Sequence, residues 1–424
     1  MLFGLQSIVA QETIKTMFYN LLNFPSTQPS RVSELKTILD DIQPDLFLVC
    51  ELETEQGGDD IFDNALATSP INYAAAPFVA NQSTGNQLQQ LAYYNSDKLI
   101  LDNATTLQND IVTTDLRDIN RYSFVLNTAD AATNPVYLEV FVTHLKAGRD
   151  TPPSTTNADR RLLEVRALTD YLNTNAATFS NRYVLFAGDF NLYTANEEAF
   201  QEIIDVNGVN AVDFIDPINR IGEWSNNTTF QDVHTQSTLR SNGHLLDENG
   251  FPDGATGGLD DRFDFIMISD NLVGNPELEY VTDSYETYGN NGNCYNDSIN
   301  DSNCTGTYSQ SIRNSLFNFS DHLPVVLDLE TNLSLLNTSS QEFVQATVEL
   351  PRGNVVQEQL LLKINDPSMI ESVSIVNTVG QEMEQILIRN TSEAILDVST
   401  WSKGMYFINI EGVEGRTALK FIKR

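Results

Sequence analysis

The chain has 424 residues, a formal net charge of −34 and a sequence pI near 4.2. This length is enough for two domains, the larger with a sizeable core. So large an acidic excess disfavours non-specific binding to polyanions and adsorption to anionic lipid, so a nucleic-acid substrate would have to be held by local cations.

The N-terminus has features of a processed export signal. Met1 to Ala10 is apolar, ends in a small residue and is followed by Gln11-Glu12, as after a signal-peptide cleavage site. It lacks a basic start and is short for a signal peptide with its flanks, so we interpret residues 1–12 as a remnant whose start lies upstream. No later stretch approaches the length needed to span a membrane.

Polar residues stand at the ends of several short apolar runs that are typical of buried strands. Buried strands exclude charge because an isolated carboxylate is costly to desolvate, so an acid at a strand end usually meets solvent, a metal or a partner. In chain order the ends are Asn20 after 14–19, Glu51 after 46–50, His144 after 140–143, Asp189 after 183–187, and Asp321 with His322 before 325–327. We expect these ends to form one shared site.

Helical segments separate the predicted strands. Apolar residues recur at helical spacing from Val32 to Ile42 after Ser30, which predicts an amphipathic helix leading to the Glu51 strand. A second helix is predicted over residues 158–172. Strands therefore alternate with helices here, mixed with hairpin-like turns.

Two short motifs carry the strongest polar signals, Gly188-Asp189-Phe190-Asn191 and Ser320-Asp321-His322. Each is weak alone, because Asp and Asn after a strand more often cap or turn the backbone. Asp264 lies inside another apolar run and therefore needs a partner. His234 and His244 lie in a polar stretch rich in Asn and Gly, and we assign them no role beyond a substrate-side loop.

The chain resembles the endonuclease/exonuclease/phosphatase superfamily, whose best-known members are deoxyribonuclease-I-like. The resemblance rests on the order of Asn20, Glu51, His144, Asp189 with Asn191, Asp264, and Asp321 with His322. It spans residues 13–332 and implies a catalytic domain with an α/β fold, a four-layered sandwich of two β-sheets flanked by helices.

The resemblance implies a metal-dependent phosphoesterase. Glu51 would be the principal metal ligand, with Asp321 and Asn20 near the ion. Glu53 and Glu55 are neighbouring alternatives to Glu51. Carboxylate and amide oxygens suit a hard ion such as Mg²⁺, and Mn²⁺ or Ca²⁺ would fit the same donors.

The resemblance also implies roles at the phosphate. Because a phosphodiester is a shielded anion, water must be activated and the developing charge neutralised. Asp189 would position or activate the water, and Asn191 would donate to a phosphate oxygen. His322, held by Asp264, would contact the phosphoryl group and exchange protons. His144 would donate toward the leaving group or a non-bridging oxygen.

One position departs from the deoxyribonuclease-like pattern. In that branch the second histidine has a glutamate partner on the strand that here runs from Gln89 to Tyr94, where no acid stands. We therefore expect His144 to contact an amide or a backbone carbonyl, as in the broader secreted bacterial members.

Several cations could hold an anionic substrate. Lys146 and Arg149 follow the second histidine, and Arg160 lies on the following helix, so we assign these three to substrate binding. Arg161 and Arg166 on the same helix are further candidates, with a solvated helix face as the alternative for these arginines.

The three cysteines separate by location. Cys50 stands in a predicted buried strand as a small core residue. Cys294 and Cys304 lie ten residues apart in a polar loop, where a disulfide would close a short loop in an oxidising compartment. The loop could instead hold Ca²⁺ or be an irregular surface loop.

The composition changes after residue 332. Residues 333–344 are rich in Asn, Ser and Thr and predict a linker, whereas residues 345–424 contain short strands separated by turns. Strands at this spacing without helical periodicity indicate a small all-β sandwich domain.

This second domain resembles the C-terminal sorting domain of the type IX secretion system of Bacteroidetes. The resemblance rests on Lys403-Gly404-Met405-Tyr406-Phe407 and on the basic end from Lys420 to Arg424. The usual Pro-Asn-Pro start is replaced by Leu350 to Asn354. A carbohydrate- or protein-binding module is the alternative. The resemblance implies a secreted or cell-surface protein whose partner is the type IX machinery.

Together these features predict a secreted, monomeric, metal-dependent phosphoesterase, with an extracellular nuclease preferred. The alternatives are a phospholipid phosphodiesterase of the sphingomyelinase type, or a small-molecule phosphodiesterase or phosphatase. A non-catalytic binding protein on the same scaffold is disfavoured, because only the glutamate partner of His144 is missing from the motif set.

Overall fold

The structure, a computed structural model, describes residues 11–82, 88–107, 116–236, 254–336, 348–351, 355–365, 367, 370–377, 381–386, 392–412 and 415–424. The chain divides into two compact units between Leu335 and Leu336, within the predicted linker 333–344. His244 lies outside the described residues.

Thirteen strands of the first unit form two sheets. The strands are β1 (Glu12–Phe24), β2 (Leu46–Leu52), β3 (Tyr73–Ala75), β4 (Gln89–Asn95), β5 (Leu99–Leu107), β6 (Ile119–Leu126), β7 (Tyr137–His144), β8 (Tyr183–Asp189), β9 (Phe214–Ile215), β10 (Asp264–Ser269), β11 (Glu279–Tyr280), β12 (Glu286–Thr287) and β13 (Val325–Thr331). Sheet A has the order β11-β13-β1-β2-β4-β3, with β12 also paired to β13, and sheet B has the order β5-β6-β7-β8-β10-β9. Within them β1 is parallel to β2 and β7 is parallel to β8.

Among the described residues of the first unit, six helices flank these sheets. They are α1 (Val32–Ile42), α2 (Glu55–Ile61), α3 (Thr156–Thr174), α4 (Ala176–Phe179), α5 (Glu198–Ile203) and α6 (Gln310–Phe319), joined by short helical turns at Pro29–Arg31, Phe62–Leu66, Thr228–Phe230 and Asp270–Leu272. The two predicted helices are observed as α1 and α3. Helix α6, which leads into the Ser320-Asp321-His322 turn, was not predicted.

Three hydrophobic clusters make the four layers. Alternate residues of a strand face opposite sides of its sheet, so Phe18 of β1 packs between the sheets while Met17 packs against helices. Phe141 and Phe186 of sheet B face away from sheet A, into a cluster that includes residues of α3 and α5. The layer order is therefore helix, sheet A, sheet B and helix, which confirms the predicted four-layered sandwich.

The second unit consists of short strands. They are β14 (Val348–Glu349), β15 (Val355–Val356), β16 (Gln359–Ile364), β17 (Ile370–Asn377), β18 (Glu382–Ile386), β19 (Glu393–Asp397), β20 (Gly404–Gly412) and β21 (Gly415–Lys423). They form a three-stranded sheet, β14-β16-β19, and a five-stranded sheet, β15-β21-β20-β17-β18. One cluster containing Leu362, Ile375, Ile408 and Phe421 makes its core. The predicted all-β domain is confirmed.

Across the described residues, no helix is both long enough and apolar enough to cross a membrane.

Candidate active site

Strand register brings the predicted residues to one edge of the sandwich. In sheet B, His144 at the end of β7 stands opposite Asp189 at the end of parallel β8, and Asp189 stands opposite Asp264 at the start of antiparallel β10. In sheet A, Asn20 of β1 pairs with Cys50 of β2, next to Glu51. The ends of β1, β2, β7 and β8 therefore lie at the same edge.

Irregular backbone orients the Glu51 side chain toward this edge of the sandwich. The β1–β2 register shifts between Asn20 and Phe24, and Leu22, Asn23 and Glu51 have φ angles of 49°, 46° and 55°. Left-handed conformations are unfavourable for residues other than Gly and persist where the surroundings hold them. Here Glu51 Oε2 accepts the Asn23 N–H at 3.0 Å, and Oε1 accepts from Asn20 Nδ2 at 2.9 Å.

The two alternative glutamates face elsewhere. Glu53 accepts the N–H and the hydroxyl of Ser26, at 3.0 and 2.7 Å. Glu55 is exposed in the first turn of α2. Glu51 is therefore the acid that the structure brings to this edge.

Asn20, which we expect near the ion, has both its amide oxygen and its amide nitrogen engaged in hydrogen bonds. Its Oδ1 accepts the N–H of Leu22 at 3.0 Å, which turns the amide nitrogen toward the carboxylates. That nitrogen donates to Glu51 and to Asp189 Oδ2, the latter at 3.0 Å. In this structure Asn20 holds two carboxylates together as a hydrogen-bond donor.

Asp189 is buried at the centre of the site. Its Oδ1 accepts the backbone N–H of Asn191, and its Oδ2 lies 3.4 Å from His144 Nε2 and 3.9 Å from His322 Nε2. Burial, assisted by the nearby Asp264 and Glu51 carboxylates, raises the pKa of Asp189 to about 7.

His322 and Asp264 form the expected pair. His322 Nδ1 lies 2.7 Å from Asp264 Oδ2, so Nδ1 carries the hydrogen and Nε2 points toward Asp189. Burial lowers the pKa of His322, but the carboxylates of Asp264, Asp321 and Asp189 outweigh it and hold that pKa well above its ordinary value. This arrangement favours an imidazolium at neutral pH.

Two unpredicted side chains fix this pair. The Thr235 hydroxyl oxygen accepts the N–H groups of Phe263 and Asp264, at 2.9 and 3.1 Å. The Ser320 hydroxyl donates to the Asn20 carbonyl at 2.7 Å and accepts the His322 N–H at 3.1 Å. A hydroxyl within a polar loop gives no sequence signal of such a role, although Ser320 stands inside the predicted motif.

Asp321 has one carboxylate oxygen engaged. Its Oδ2 accepts the N–H of Ala255 at 2.7 Å, whereas its buried Oδ1 has no hydrogen-bond partner among the described residues. Burial, and then the negative charge of Asp321, raise the pKa of Glu51. Both observations suit a cation shared by these two acids, because a cation would satisfy the oxygen and neutralise the like charges.

His144 is held differently from His322. No described residue bonds its buried Nδ1, so the expected amide or carbonyl contact is not seen within the described part of the chain. Burial, and then the Arg117 guanidinium, hold the pKa of His144 well below its ordinary value. Arg117, which the sequence did not reveal, donates to the carbonyls of His144 and Leu145 at 3.3 and 2.7 Å. His144 is therefore suited to act as a neutral imidazole.

A buried carboxylate secures the loop after His144. Glu164 of α3 accepts the backbone N–H groups of Arg117 and Lys146 at 2.8 and 2.7 Å, and burial raises its pKa to about 7. Asn191 Nδ2 also donates to Leu145 O at 3.2 Å, so part of the amide expected at the phosphate is used to hold this loop.

The predicted cations divide into two groups. Arg149 is exposed, lies 4.5 Å over the Tyr193 ring and donates to Ser225, and Lys146 and Arg160 are half-buried. Arg161 is buried, with Nη2 2.7 Å from Glu197 Oε2, and donates to the carbonyls of residues 146 and 148. Arg161 is therefore structural and is removed from the candidate substrate contacts.

Glu51, His144 and Asp189 also place one potential ligand atom each within 4.8 Å of one another. The Asn20 amide donates to both of these carboxylates, so a hydrogen-bond donor already holds the two acids together.

The three cysteines lie in two places, with Cys50 beside Glu51 on β2 and the other two in the loop before α6. Cys294 and Cys304 form a disulfide with a Cα–Cα distance of 5.1 Å, and Cys50 is a buried free thiol. The disulfide packs in the cluster between sheet A and its helices.

Comparison with known proteins identifies the second unit. Residues 354–424 match the family described as the secretion system C-terminal sorting domain. The match confirms the predicted sorting domain and indicates type IX secretion to the cell surface or extracellular space. No curated protein matches the chain.

Several solved structures are similar to the chain. An endonuclease/exonuclease/phosphatase family protein from Bacteroides thetaiotaomicron is 14% identical, with a TM-score of 0.43, covering 76% of this chain and 99% of that one. The human Nocturnin catalytic domain with bound sulfate is 14% identical, with a TM-score of 0.42, covering 75% and 97%. A mannosyl-6-phosphatase from Bacteroides thetaiotaomicron is 14% identical, with a TM-score of 0.42, covering 74% and 99%.

Proposed function

We propose that the first unit is a metal-dependent phosphoesterase of the endonuclease/exonuclease/phosphatase type, and that it acts as an extracellular nuclease on phosphodiester bonds. One observation carries the proposal. Asp189 Oδ2 lies within 3.9 Å of the Nε2 atoms of both His144 and His322, and Asn20 links the same carboxylate to Glu51. A candidate general base (Asp189), two imidazoles and a carboxylate suited to metal binding (Glu51) thus surround one point.

A divalent cation fits the acids at this point. Glu51 and Asp321 would hold it, since Glu51 is partly open and one buried oxygen of Asp321 has no partner among the described residues. Mg²⁺ is the expected ion, with Mn²⁺ or Ca²⁺ as alternatives, because all accept carboxylate oxygens. Such an ion supplies positive charge to a phosphoryl oxygen or a leaving oxygen.

The protein groups divide the remaining work. Asp189, with a pKa near 7, orients a water and accepts its proton. His322, kept protonated by Asp264, donates from Nε2 to the phosphoryl group. His144, kept neutral by burial and Arg117, donates or accepts one hydrogen bond at the leaving group or a non-bridging oxygen. Asn20 and Asn191 orient Asp189.

The substrate preference rests on three cations, the exposed Arg149 and the half-buried Lys146 and Arg160. Arg149 stands on the surface and contacts Tyr193 and Ser225, and Lys146 lies in the loop that follows His144. Together with Arg160 they give local positive charge in a chain of net charge −34, as a nucleic-acid substrate requires.

A phospholipid with a neutral headgroup is the second candidate. The net charge of −34 favours it, because a zwitterionic headgroup is repelled less than a polyanion. A small-molecule phosphodiester is the remaining alternative.

The deciding experiment is a substrate panel with the purified full chain. DNA, RNA, sphingomyelin and a chromogenic phosphodiester would be assayed with Mg²⁺, Mn²⁺ or Ca²⁺ and with excess EDTA. We expect metal-dependent cleavage of DNA or RNA, abolished by chelation and restored by Mg²⁺ or Mn²⁺. Undiminished turnover in EDTA would overturn the metal-dependent mechanism, and cleavage of sphingomyelin alone would select the second candidate.

A further inference from the structure

Arg31 is a buried cation outside the set of site residues, in the short helical turn before α1. It is only 4% exposed, and it donates from Nε to Thr27 O at 2.6 Å, from Nη1 to Phe319 O and from Nη2 to Leu22 O. Its guanidinium carbon lies 4.8 Å from the Phe319 ring centroid. The planar fork thus joins three separate backbone carbonyls.

One of these carbonyls belongs to the peptide that supports Glu51. Leu22 O and the Asn23 N–H are part of the same peptide plane, and in a trans peptide they point in opposite directions. Arg31 binds the carbonyl, while the N–H donates to Glu51 Oε2 at 3.0 Å. The Arg31 guanidinium therefore fixes the orientation of the Leu22–Asn23 peptide plane, whose N–H holds the Glu51 carboxylate. It also polarises that N–H, which strengthens the hydrogen bond to Glu51.

A second carbonyl leads to the other acid. Phe319 is the last residue of α6, and Ser320 and Asp321 follow it directly. Arg31 holds Phe319 O while the Ser320 hydroxyl donates to Asn20 O at 2.7 Å. The β1 segment and the Asp321 turn are thereby tied to one guanidinium, although Glu51 and Asp321 lie 270 positions apart in the sequence.

We propose that Arg31 is a positioning residue for the metal site, which sets the placement of Glu51 and Asp321 through backbone it holds on both sides. This inference rests on the proposed function. Partners that orient ligands from behind typically contribute about 10- to 100-fold to metal affinity. Lysine cannot replace this group, because a single ammonium lacks the planar fork that reaches three carbonyls.

Arg313 supplies a matched control. It is 2% exposed and donates to the Ile299 and Asp301 carbonyls and to Gln310, each at 2.8 Å, so it has the same chemistry in the disulfide loop region. Either Arg31→Lys or Arg313→Lys should lower the melting temperature of the full chain. Only Arg31→Lys should weaken metal binding.

The test measures Mn²⁺ affinity of the full-length protein by calorimetric titration, together with the Mn²⁺-induced rise in melting temperature. We expect Arg31→Lys to raise the Mn²⁺ dissociation constant about 10-fold or more, Arg313→Lys to leave it unchanged, and excess Mn²⁺ to restore most of kcat in Arg31→Lys. In the Glu51→Gln background, Arg31→Lys should weaken Mn²⁺ binding by a smaller factor than it does in the wild type, since both changes act through the Glu51 side chain.

If Arg31→Lys does not fold, Arg31→Gln keeps a donor of smaller size and is measured the same way. Equal Mn²⁺ affinity in the folded Arg31 variant and the wild type would overturn the positioning role while leaving the proposed function standing. Absence of Mn²⁺ and Mg²⁺ binding in the wild type would overturn the proposed metal site and this inference together.

Discussion

The two sheets contribute to the site in different ways. On the sheet B side, His144, Asp189 and Asp264 are neighbours by strand register, and regular hydrogen-bonded pairing alone sets them side by side. On the sheet A side, Glu51 is aimed by left-handed backbone and by the Leu22–Asn23 peptide. Regular pairing places the groups to which we assign proton transfer, whereas irregular backbone places the acid to which we assign the cation.

His322 connects the two sides. It stands in the turn before β13 of sheet A, yet its Nδ1 bonds Asp264 of sheet B at 2.7 Å. If the sides have separate tasks, changes on the sheet B side should alter turnover and its pH dependence, and changes on the sheet A side should alter metal dependence.

The largest expected effect is at His322. The change His322→Ala removes the imidazole that Asp264 orients and that the proposed mechanism directs at the phosphoryl group, and one acid-base group typically contributes roughly 10² to 10⁴-fold. We expect kcat on a chromogenic phosphodiester to fall within that range at saturating metal, with unchanged Mn²⁺ affinity. A loss of less than about tenfold would contradict the assigned role, since that lies below the usual contribution.

A smaller but distinct effect is expected at Glu51. The change Glu51→Gln keeps the Asn20 and Asn23 neighbours but removes the negative charge, so Mn²⁺ and Mg²⁺ should bind more weakly while the fold is retained. Calorimetric titration of the metal measures this. Glu53→Gln is the control, because Glu53 is occupied by Ser26. Equal metal affinity in Glu51→Gln and the wild type would remove Glu51 from the metal site.

The sheet B side predicts a change in pH dependence. Asp264 raises the pKa of His322, so the protonated histidine persists to higher pH than it otherwise would. In Asp264→Asn the pKa of His322 falls, so His322 loses its proton at a lower pH than in the wild type. The descending limb of the kcat/KM profile should therefore move to lower pH. An unmoved descending limb would mean that another group controls it.

The same contrast explains which parts of the site the sequence could predict. His144 and Asp189 stand at ends of apolar runs in the sequence, and the parallel register of β7 and β8 makes them neighbours, whereas the partner of Asp264 was implied by the family resemblance. Helices α1 and α3 were predicted because each has a continuous apolar face. The two sheets and four layers were implied by the family resemblance, and the all-β second unit was predicted from regular strand spacing; both are observed.

The parts that escaped prediction depend on contacts between distant segments. Arg31, Arg117, Glu164 and Thr235 have no pattern of their own, because each acts by bonding backbone groups whose position only the folded chain defines. The orientation of the Asn20 amide is likewise decided by one backbone N–H of Leu22. Resemblance to a family supplies residue identities but not such local hydrogen-bond directions.

The smallest expected effects concern the surface cations, which belong to neither side of the chemistry. Arg149 is exposed and is braced by Tyr193 and Ser225, whereas Arg161 is occupied by Glu197. In the double variant with Lys146→Ala and Arg149→Ala we expect KM for DNA to rise several-fold, roughly in line with the loss of two phosphate contacts, with kcat little changed.

Salt dependence distinguishes a phosphate contact from a general loss of fit. Each phosphate contact adds about one to the slope of log affinity against log salt, so removing Lys146 and Arg149 should flatten the dependence of KM for DNA by up to about two. Arg166→Ala is the matched control, since Arg166 is exposed on α3 and lies 3.7 Å from Glu202. KM for a small chromogenic phosphodiester, which makes no flanking phosphate contacts, should change little in either variant. If instead DNA hydrolysis shows the same KM and the same salt slope in the double variant, these two cations do not hold a polyanion, and the neutral-headgroup lipid becomes the better account of a chain with net charge −34.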